Sequence, residues 1–199
     1  MSIIGDVFGL TSIYDRQVEN IENDNFESWP ENALYGYYCG GYQQSGFTDR
    51  VERIDFSNEI VSAPGNELSV ARRKAAAVST SSYGYFAFGY APGVTNTVDR
   101  LDFSSETCSL PGKNIPQSRR LLAAVSNESY GYFGGGYTNP PAIRRDIISR
   151  IDFSNETGSA PTVELSDARY GLGAVSSDNY GYFGGGNSPA IVNTVDRLD

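Results

Sequence analysis

The stretch Tyr130-Gly-Tyr-Phe-Gly-Gly-Gly136 decides how this chain is read, because it is written four times. Its counterparts are Tyr35-Gly-Tyr-Tyr-Cys-Gly-Gly41, Tyr83-Gly-Tyr-Phe-Ala-Phe-Gly89 and Tyr180-Gly-Tyr-Phe-Gly-Gly-Gly186, so the starts lie 48, 47 and 50 residues apart. Self-similarity at such a period signals a chain built from stacked supersecondary units, each unable to bury its apolar face alone. In an extended Tyr-Gly-Tyr-Phe the side chains alternate, so both tyrosines share one face while Gly and Phe share the other. Each core is therefore predicted to be a strand. The glycines that follow, Gly40, Gly41, Gly89, Gly135, Gly136, Gly185 and Gly186, are predicted to end it in a tight turn with positive φ.

Three further blocks travel with each core. Val51-Glu-Arg-Ile-Asp-Phe-Ser57, Val98-Asp-Arg-Leu-Asp-Phe-Ser104, Ile148-Ser-Arg-Ile-Asp-Phe-Ser154 and Val195-Asp-Arg-Leu-Asp199 come after it. On a strand this block places Arg and Asp on one face and the aliphatic and Phe residues on the other. The expectation is that Arg53 and Asp55, Arg100 and Asp102, Arg150 and Asp152, and Arg197 and Asp199 form a ladder of ions that pairs across strands or between blades and holds the repeats together. A ring of arginines that binds a ligand is the alternative, and the recurrent Arg72, Arg119 and Arg169 are open to both readings. Ala75-Ala-Ala-Val-Ser79, Leu122-Ala-Ala-Val-Ser126 and Leu172-Gly-Ala-Val-Ser176 precede the last three cores, and their small side chains suit a crowded innermost strand. Val61-Ser-Ala-Pro64, Cys108-Ser-Leu-Pro111 and Gly158-Ser-Ala-Pro161 carry a proline, which an edge strand tolerates.

Composition removes whole classes of chemistry. The 199 residues include no histidine, which excludes a Ser-His-Asp triad, a Cys-His pair and His-ligated zinc, copper or haem. A formal charge of −9 argues against nucleic-acid binding and against a polybasic membrane anchor. No apolar run is long enough for a spanning helix, so membrane insertion is not expected. The opening Met1-Ser-Ile-Ile-Gly-Asp6 lacks the basic start of a secretion signal. Cys39 and Cys108 read as two small hydrophobes. Asp and Glu pairs could in principle hydrolyse glycosides, but residues repeated in every unit rarely build one asymmetric active site. Neither catalytic residues nor a cofactor are expected.

An aromatic strand ending in glycines, followed by a strand ending in Asp and a turn, resembles the kelch repeat. Tyr-Gly-Tyr-Phe-Gly-Gly-Gly, Asp-Arg-Leu-Asp-Phe-Ser and Ala-Ala-Val-Ser are more narrowly similar to kelch-like repeat proteins of marine tailed phages, the cyanophage type. The leader is similar too, in Ser12-Ile-Tyr-Asp-Arg-Gln-Val18 and Asn25-Phe-Glu-Ser-Trp-Pro-Glu31. The chain departs from kelch proteins in lacking a Trp within the repeats. It departs from the copper-binding galactose-oxidase-like enzymes in lacking His.

The resemblance implies an all-β, kelch-like β-propeller of about four blades. Residues 1–34 form an N-terminal leader and residues 35–199 the repeats, with cores at 35–41, 83–89, 130–136 and 180–186. The first blade lacks an Ala-Ala-Val strand and the last stops within its third strand, so two complete blades lie between two incomplete ones. The leader is expected to cap the first blade or to dock the chain, with Tyr14, Arg16, Phe26 and Trp29 as docking candidates. A ring could close within one chain, be shared among several, or stay open on a partner. The implied function is a non-enzymatic virion component, in the tail, a fibre or a capsid decoration. It would contact other virion proteins, form a homo-oligomer and recognise a host-surface glycan or protein. The other reading is a carbohydrate- or protein-binding module not tied to a virion, with tyrosines such as Tyr130 and Tyr132 stacking on sugars.

Overall fold

The computed structural model describes residues 35–199 apart from Lys113 and Asp178. The 1–34 leader, with Tyr14, Arg16, Phe26 and Trp29, lies outside the described residues. What is described is all β, in four antiparallel sheets of three or four strands that follow one another along the chain, with three separate two-stranded ribbons. No helix long and apolar enough to cross a membrane occurs among the described residues.

The first sheet contains β1 (Tyr35–Gln43), β2 (Gly46–Asp55) and β3 (Ile60–Ser62), in that order. The second is built from β4 (Ala76–Ser79) and β5 (Tyr83–Ala87). A small ribbon of β6 (Tyr90–Ala91) and β7 (Gly93–Val94) interrupts it before β8 (Val98–Asp102) and β9 (Thr107–Ser109) complete the order β4-β5-β8-β9. The third repeats this plan with β10 (Ala123–Ser126), β11 (Tyr130–Gly134), the ribbon β12 (Tyr137–Thr138) and β13 (Ile143–Arg144), then β14 (Ile148–Asp152) and β15 (Thr157–Ser159). The fourth has β16 (Gly173–Ser176), β17 (Gly181–Gly184), the ribbon β18 (Asn187–Ser188) and β19 (Ala190–Ile191), and β20 (Val195–Leu198). The four sequence blocks thus become successive strands of one sheet.

Register repeats with the sequence. Tyr85 opposes Arg100, Tyr132 opposes Arg150 and Tyr182 opposes Arg197. The Ala-Ala-Val strands lie side by side, β10 against both β4 and β16. Small residues allow this approach. Gly131 backs onto Val78 of the sheet before it, and a Cβ at Gly181 would sit 2.7 Å from Val125 Cγ2. The strands β3, β9 and β15 lie at sheet edges as expected, but Pro64, Pro111 and Pro161 fall just beyond them rather than within them.

All seven glycines expected at strand ends have positive φ. In the first repeat, however, the strand does not stop there. β1 runs through Gly40 and Gly41 with a bulge and closes a hairpin at Gln43 and Gly46. A short two-residue connection there lets the pairing continue, whereas the later repeats insert a separate ribbon. In the second repeat Phe88 takes a positive φ of 63° where its counterparts are glycines, and its ring meets Phe133 edge-on at 5.3 Å.

The core lies between sheets rather than within one. Leu101 and Phe86 pack with Tyr37, Val51 and Leu68 of the preceding region, together with Cys39 and Cys108. Val78, Tyr85 and Phe88 pack with Ile115, Phe133 and Ile151. Val125 and Ile148 pack with Leu165, Phe183 and Leu198. Burial at each junction removes apolar area from water and makes each sheet depend on its neighbour.

Candidate interaction surface

The recurrent ionisable residues fall into three sets with different positions. The first joins one sheet to the next through a glutamate. Glu106, in the turn after β8, accepts hydrogen bonds from Arg53 Nη1 at 2.8 Å and Tyr37 OH at 2.9 Å, both in the first sheet. Glu156 repeats this one sheet later, accepting from Arg100 Nη1 at 2.9 Å and Tyr85 OH at 3.1 Å. Phe103 stacks on Tyr37 at 5.3 Å and Phe153 on Tyr85 at 5.2 Å, so each clamp has an aromatic floor. Burial, then Glu106, drives the Tyr37 phenol far above its ordinary value, and burial, then Glu156, does the same to Tyr85. The hydrogen bond to Glu106 raises Arg53, and at Arg100 the pull of Glu156 outweighs burial.

This revises the expected Arg–Asp pairing. Arg53 and Arg100 reach glutamates of the following sheet, while the aspartates fold back into their own turns. Ser57, Ser104 and Ser154 donate through their backbone N–H and their hydroxyl to Asp55, Asp102 and Asp152. Two side-chain atoms beyond the backbone is the reach of an Asx turn, so the local partner wins over the distant one. Arg150 lies over the Tyr130 ring at 4.5 Å, and Arg197 lies over Tyr180 at 4.6 Å while pairing at 2.7 Å with Asp199, just past the end of its strand. Sequence reading missed the glutamates, although their spacing four residues after Asp55, Asp102 and Asp152 was visible. Each takes a positive φ (59°, 54° and 57° for Glu59, Glu106 and Glu156), a conformation that disfavours a side chain unless the side chain is needed.

The second set is fully buried. Arg72, Arg119 and Arg169 are each 0% exposed. Their backbone carbonyls accept from Gly41, Gly89 and Gly136 of the sheet before. Their side chains reach into the sheet after, to the carbonyls of Phe86, Phe133 and Phe183. Arg72 is paired with Asp99 and Arg169 with Asp196. These arginines are staples rather than a ring open to a ligand. Burial lowers the Arg119 guanidinium to about 10, which leaves it charged at neutral pH.

The third set is a half-exposed row of alternating arginines and aromatics, running from the first sheet to the fourth beside the small ribbons. Arg73 lies 4.7 Å from the Tyr42 ring centroid and 5.7 Å from that of Tyr90. Arg120 follows, 4.7 Å from Tyr90 and 5.5 Å from Tyr137. Tyr137 meets Tyr170 at 5.2 Å, and Arg144 lies 5.7 Å from Tyr170 and donates to Asn187 Oδ1. Backbone bridges between Arg73 and Tyr90, Arg120 and Tyr137, and Tyr170 and Asn187 fix the spacing. Beside Tyr42 a depression of about 190 Å³ is lined by Tyr38, Gln43, Thr48 and Arg50.

Tyr83 and Tyr130 carry arginines on their faces, and Tyr132 lies beneath Tyr130 in a tilted contact. Cys39 and Cys108 are unbonded thiols raised by burial, Cys108 to about 11. No cluster of three or more His, Cys, Asp or Glu placed to hold a metal occurs among the described residues. No protein-family model matches the chain, and no curated protein matches it.

Proposed function

We propose that this chain is a non-enzymatic interaction protein of a tailed-phage virion, in a tail, fibre or capsid-surface position, built as a kelch-like β-propeller of about four blades. The observation that carries the non-enzymatic reading is where the repeated charges go. Glu106, Glu156, Asp99 and Asp196 are engaged between or within sheets, and Asp55, Asp102 and Asp152 close turns. Such groups are supports for a surface, and recognition falls to the loops and the half-exposed row. The propeller reading is supported by the repeated strand order within each sheet and by the small-residue strands packed sheet to sheet. The virion reading is supported by the wording of the repeats.

Contact with further copies or with other virion proteins fits the fourth sheet. Val78 and Val125 are 2% and 4% exposed because the next sheet covers them, but Val175, at the same position, is 47% exposed. Mass-spectrometric inventory of purified particles tests the virion reading: finding the chain at stoichiometric copy number is expected, and its consistent absence removes the assignment. The mass of the purified chain by light scattering tests association, with a monomer at all concentrations counting against it.

The second reading, a carbohydrate-binding module not tied to a virion, is favoured by the arginine–tyrosine row. Aromatic faces and planar donors arranged side by side suit sugar rings and their polar substituents.

A further inference from the structure

We infer that the row from Tyr42 to Arg144 is a binding site for an acidic glycan, a short polysaccharide segment bearing carboxylates or sulfates. The inference rests on reading the chain as an interaction module, not on its place in a virion.

Charge comes first. The chain is strongly acidic, with a formal charge of −9, yet Arg73, Lys74, Arg120 and Arg144 gather along this row. None of the four has a carboxylate within ion-pair distance among the described residues, whereas Arg53, Arg72, Arg100, Arg169 and Arg197 do. The Lys74 ammonium is lowered by burial and then by Arg120 and Arg73. Gathered cations repel one another, and an anion laid along them relieves that repulsion.

Shape comes next. The guanidinium carbons of Arg73, Arg120 and Arg144 lie over aromatic rings, 4.7, 4.7 and 5.7 Å from their centroids, which holds each arginine in place along the row. Pre-set planar forks recognise carboxylate and sulfate oxygens in pairs at little entropic cost. Tyr42, Tyr90, Tyr137 and Tyr170 lie between and beside them as half-exposed or exposed ring surfaces. A pyranose offers a C–H face to such rings while its acidic substituent projects from the edge. The depression beside Tyr42 has Gln43, Thr48 and the Arg50–Glu52 ion pair on its wall, polar groups suited to hydroxyls rather than to an acidic substituent.

A nucleic acid also combines charge with stackable rings. At matched length it carries about the same charge as a uronate oligomer, so the titration rather than net charge separates the two.

The test is calorimetric titration of the intact chain with four probes of matched length: an oligoguluronate, a sulfated galactan oligomer, a neutral malto-oligomer and a single-stranded oligodeoxynucleotide. Binding of the uronate or the sulfated oligomer, at least tenfold tighter than the neutral one and weakened by salt, is expected; which of the two binds identifies the acidic group. The pair Arg73→Gln with Arg120→Gln should weaken it at least tenfold. Arg120→Lys should restore part of the loss, and Arg197→Gln, away from the row, should leave it unchanged. If the double variant melts early, Arg144→Gln at the far end of the row provides the same comparison. No binding by either acidic oligomer, equal binding by the neutral one, tighter binding by the oligodeoxynucleotide, or equal loss with Arg197→Gln would each overturn the inference. Acidic-glycan binding by a chain that is missing from particles would leave it standing and end only the virion assignment.

Discussion

Arg119 donates to Ser149 Oγ at 2.6 Å in the position where Arg72 meets Asp99 and Arg169 meets Asp196. The register is the same in all three sheets, with Phe86 opposite Asp99, Phe133 opposite Ser149 and Phe183 opposite Asp196. The third sheet therefore buries a guanidinium without a carboxylate. It compensates by taking two more carbonyls, Gly135 O at 2.7 Å and Ile147 O at 2.6 Å. Hydrogen bonds to a charged group are worth about 1.5–3 kcal/mol each, but a new buried carboxylate brings its own desolvation cost. Ser149→Asp should stabilise the chain by about 1 kcal/mol. Asp99→Ala, which strands Arg72, should cost about 3–5 kcal/mol. Urea midpoints read both, and a Ser149→Asp chain less stable than its parent would show that the carbonyls already satisfy Arg119.

Glu156 is held at positive φ, so two effects oppose one another when it is replaced. Glu156→Gln keeps the strained backbone and weakens the clamp, at a cost of about 1 kcal/mol for a partly exposed pair. Glu156→Gly loses the clamp but relieves about 1–2 kcal/mol of left-handed strain, so the two variants should be closer in stability than contact loss alone implies. The clamp also has a pH signature. Tyr85 is raised above its ordinary value of 10.0 in the folded chain, so the unfolded chain loses that proton first. Its contribution is complete below pH 10 and is lost as pH rises through the folded value. Glu156→Gln should move one of the two late-ionising tyrosines among the described residues, Tyr85, to lower pH in an ultraviolet titration and leave Tyr37 in place; an unchanged profile would dissociate Tyr85 from Glu156.

Much of the strand plan was legible in the sequence because each strand alternates and each repeat punctuates itself with glycine or proline. The 76–79, 123–126 and 173–176 strands follow from the Ala-Val blocks directly. What periodicity could not reach was partner choice. An arginine on a strand face has several acids within range, and only the three-dimensional stacking of sheets selects Glu106 over Asp55 for Arg53. The recurrent Arg72, Arg119 and Arg169 stood out in the sequence as open to a structural or a ligand-binding role, and periodicity could not choose between them. Their complete burial depends on carbonyls from two sheets at once. The row of Arg73 and Arg120 was equally invisible, since its aromatic partners come from different repeats.

The space around glycines separates two substitutions that look alike in sequence. Gly173 stands where the earlier repeats have Ala76 and Ala123, and an added Cβ meets nothing within 4 Å. Gly173→Ala should therefore stabilise by about 0.4–1 kcal/mol, through the unfolded chain. Gly181 faces Val125 of the preceding sheet, where a Cβ would lie 2.7 Å from Cγ2. Gly181→Ala should cost about 1–3 kcal/mol by forcing the two sheets apart. Thermal melts of the pair read the difference, and similar melting temperatures would contradict the close approach of β10 and β17.

The aspartate turns predict behaviour in acid. Ser57, Ser104 and Ser154 donate to Asp55, Asp102 and Asp152, and these bonds, hydroxyl first, hold each carboxyl below its ordinary value of 3.8. The folded chain thus binds those protons later than the unfolded one as pH falls. The stability they contribute is complete above the unfolded value and is lost as pH drops through the lower folded values. Ser104→Ala removes the hydroxyl donor while leaving the backbone donor of residue 104 in place, so the Asp102 carboxyl should titrate at higher pH by NMR. The three turns are equivalent, so the triple variant at Ser57, Ser104 and Ser154 should begin acid unfolding at higher pH than the parent chain, with near-neutral stability lowered by the lost bonds. If the triple variant unfolds at the same pH as its parent, the turns do not govern the acid limit.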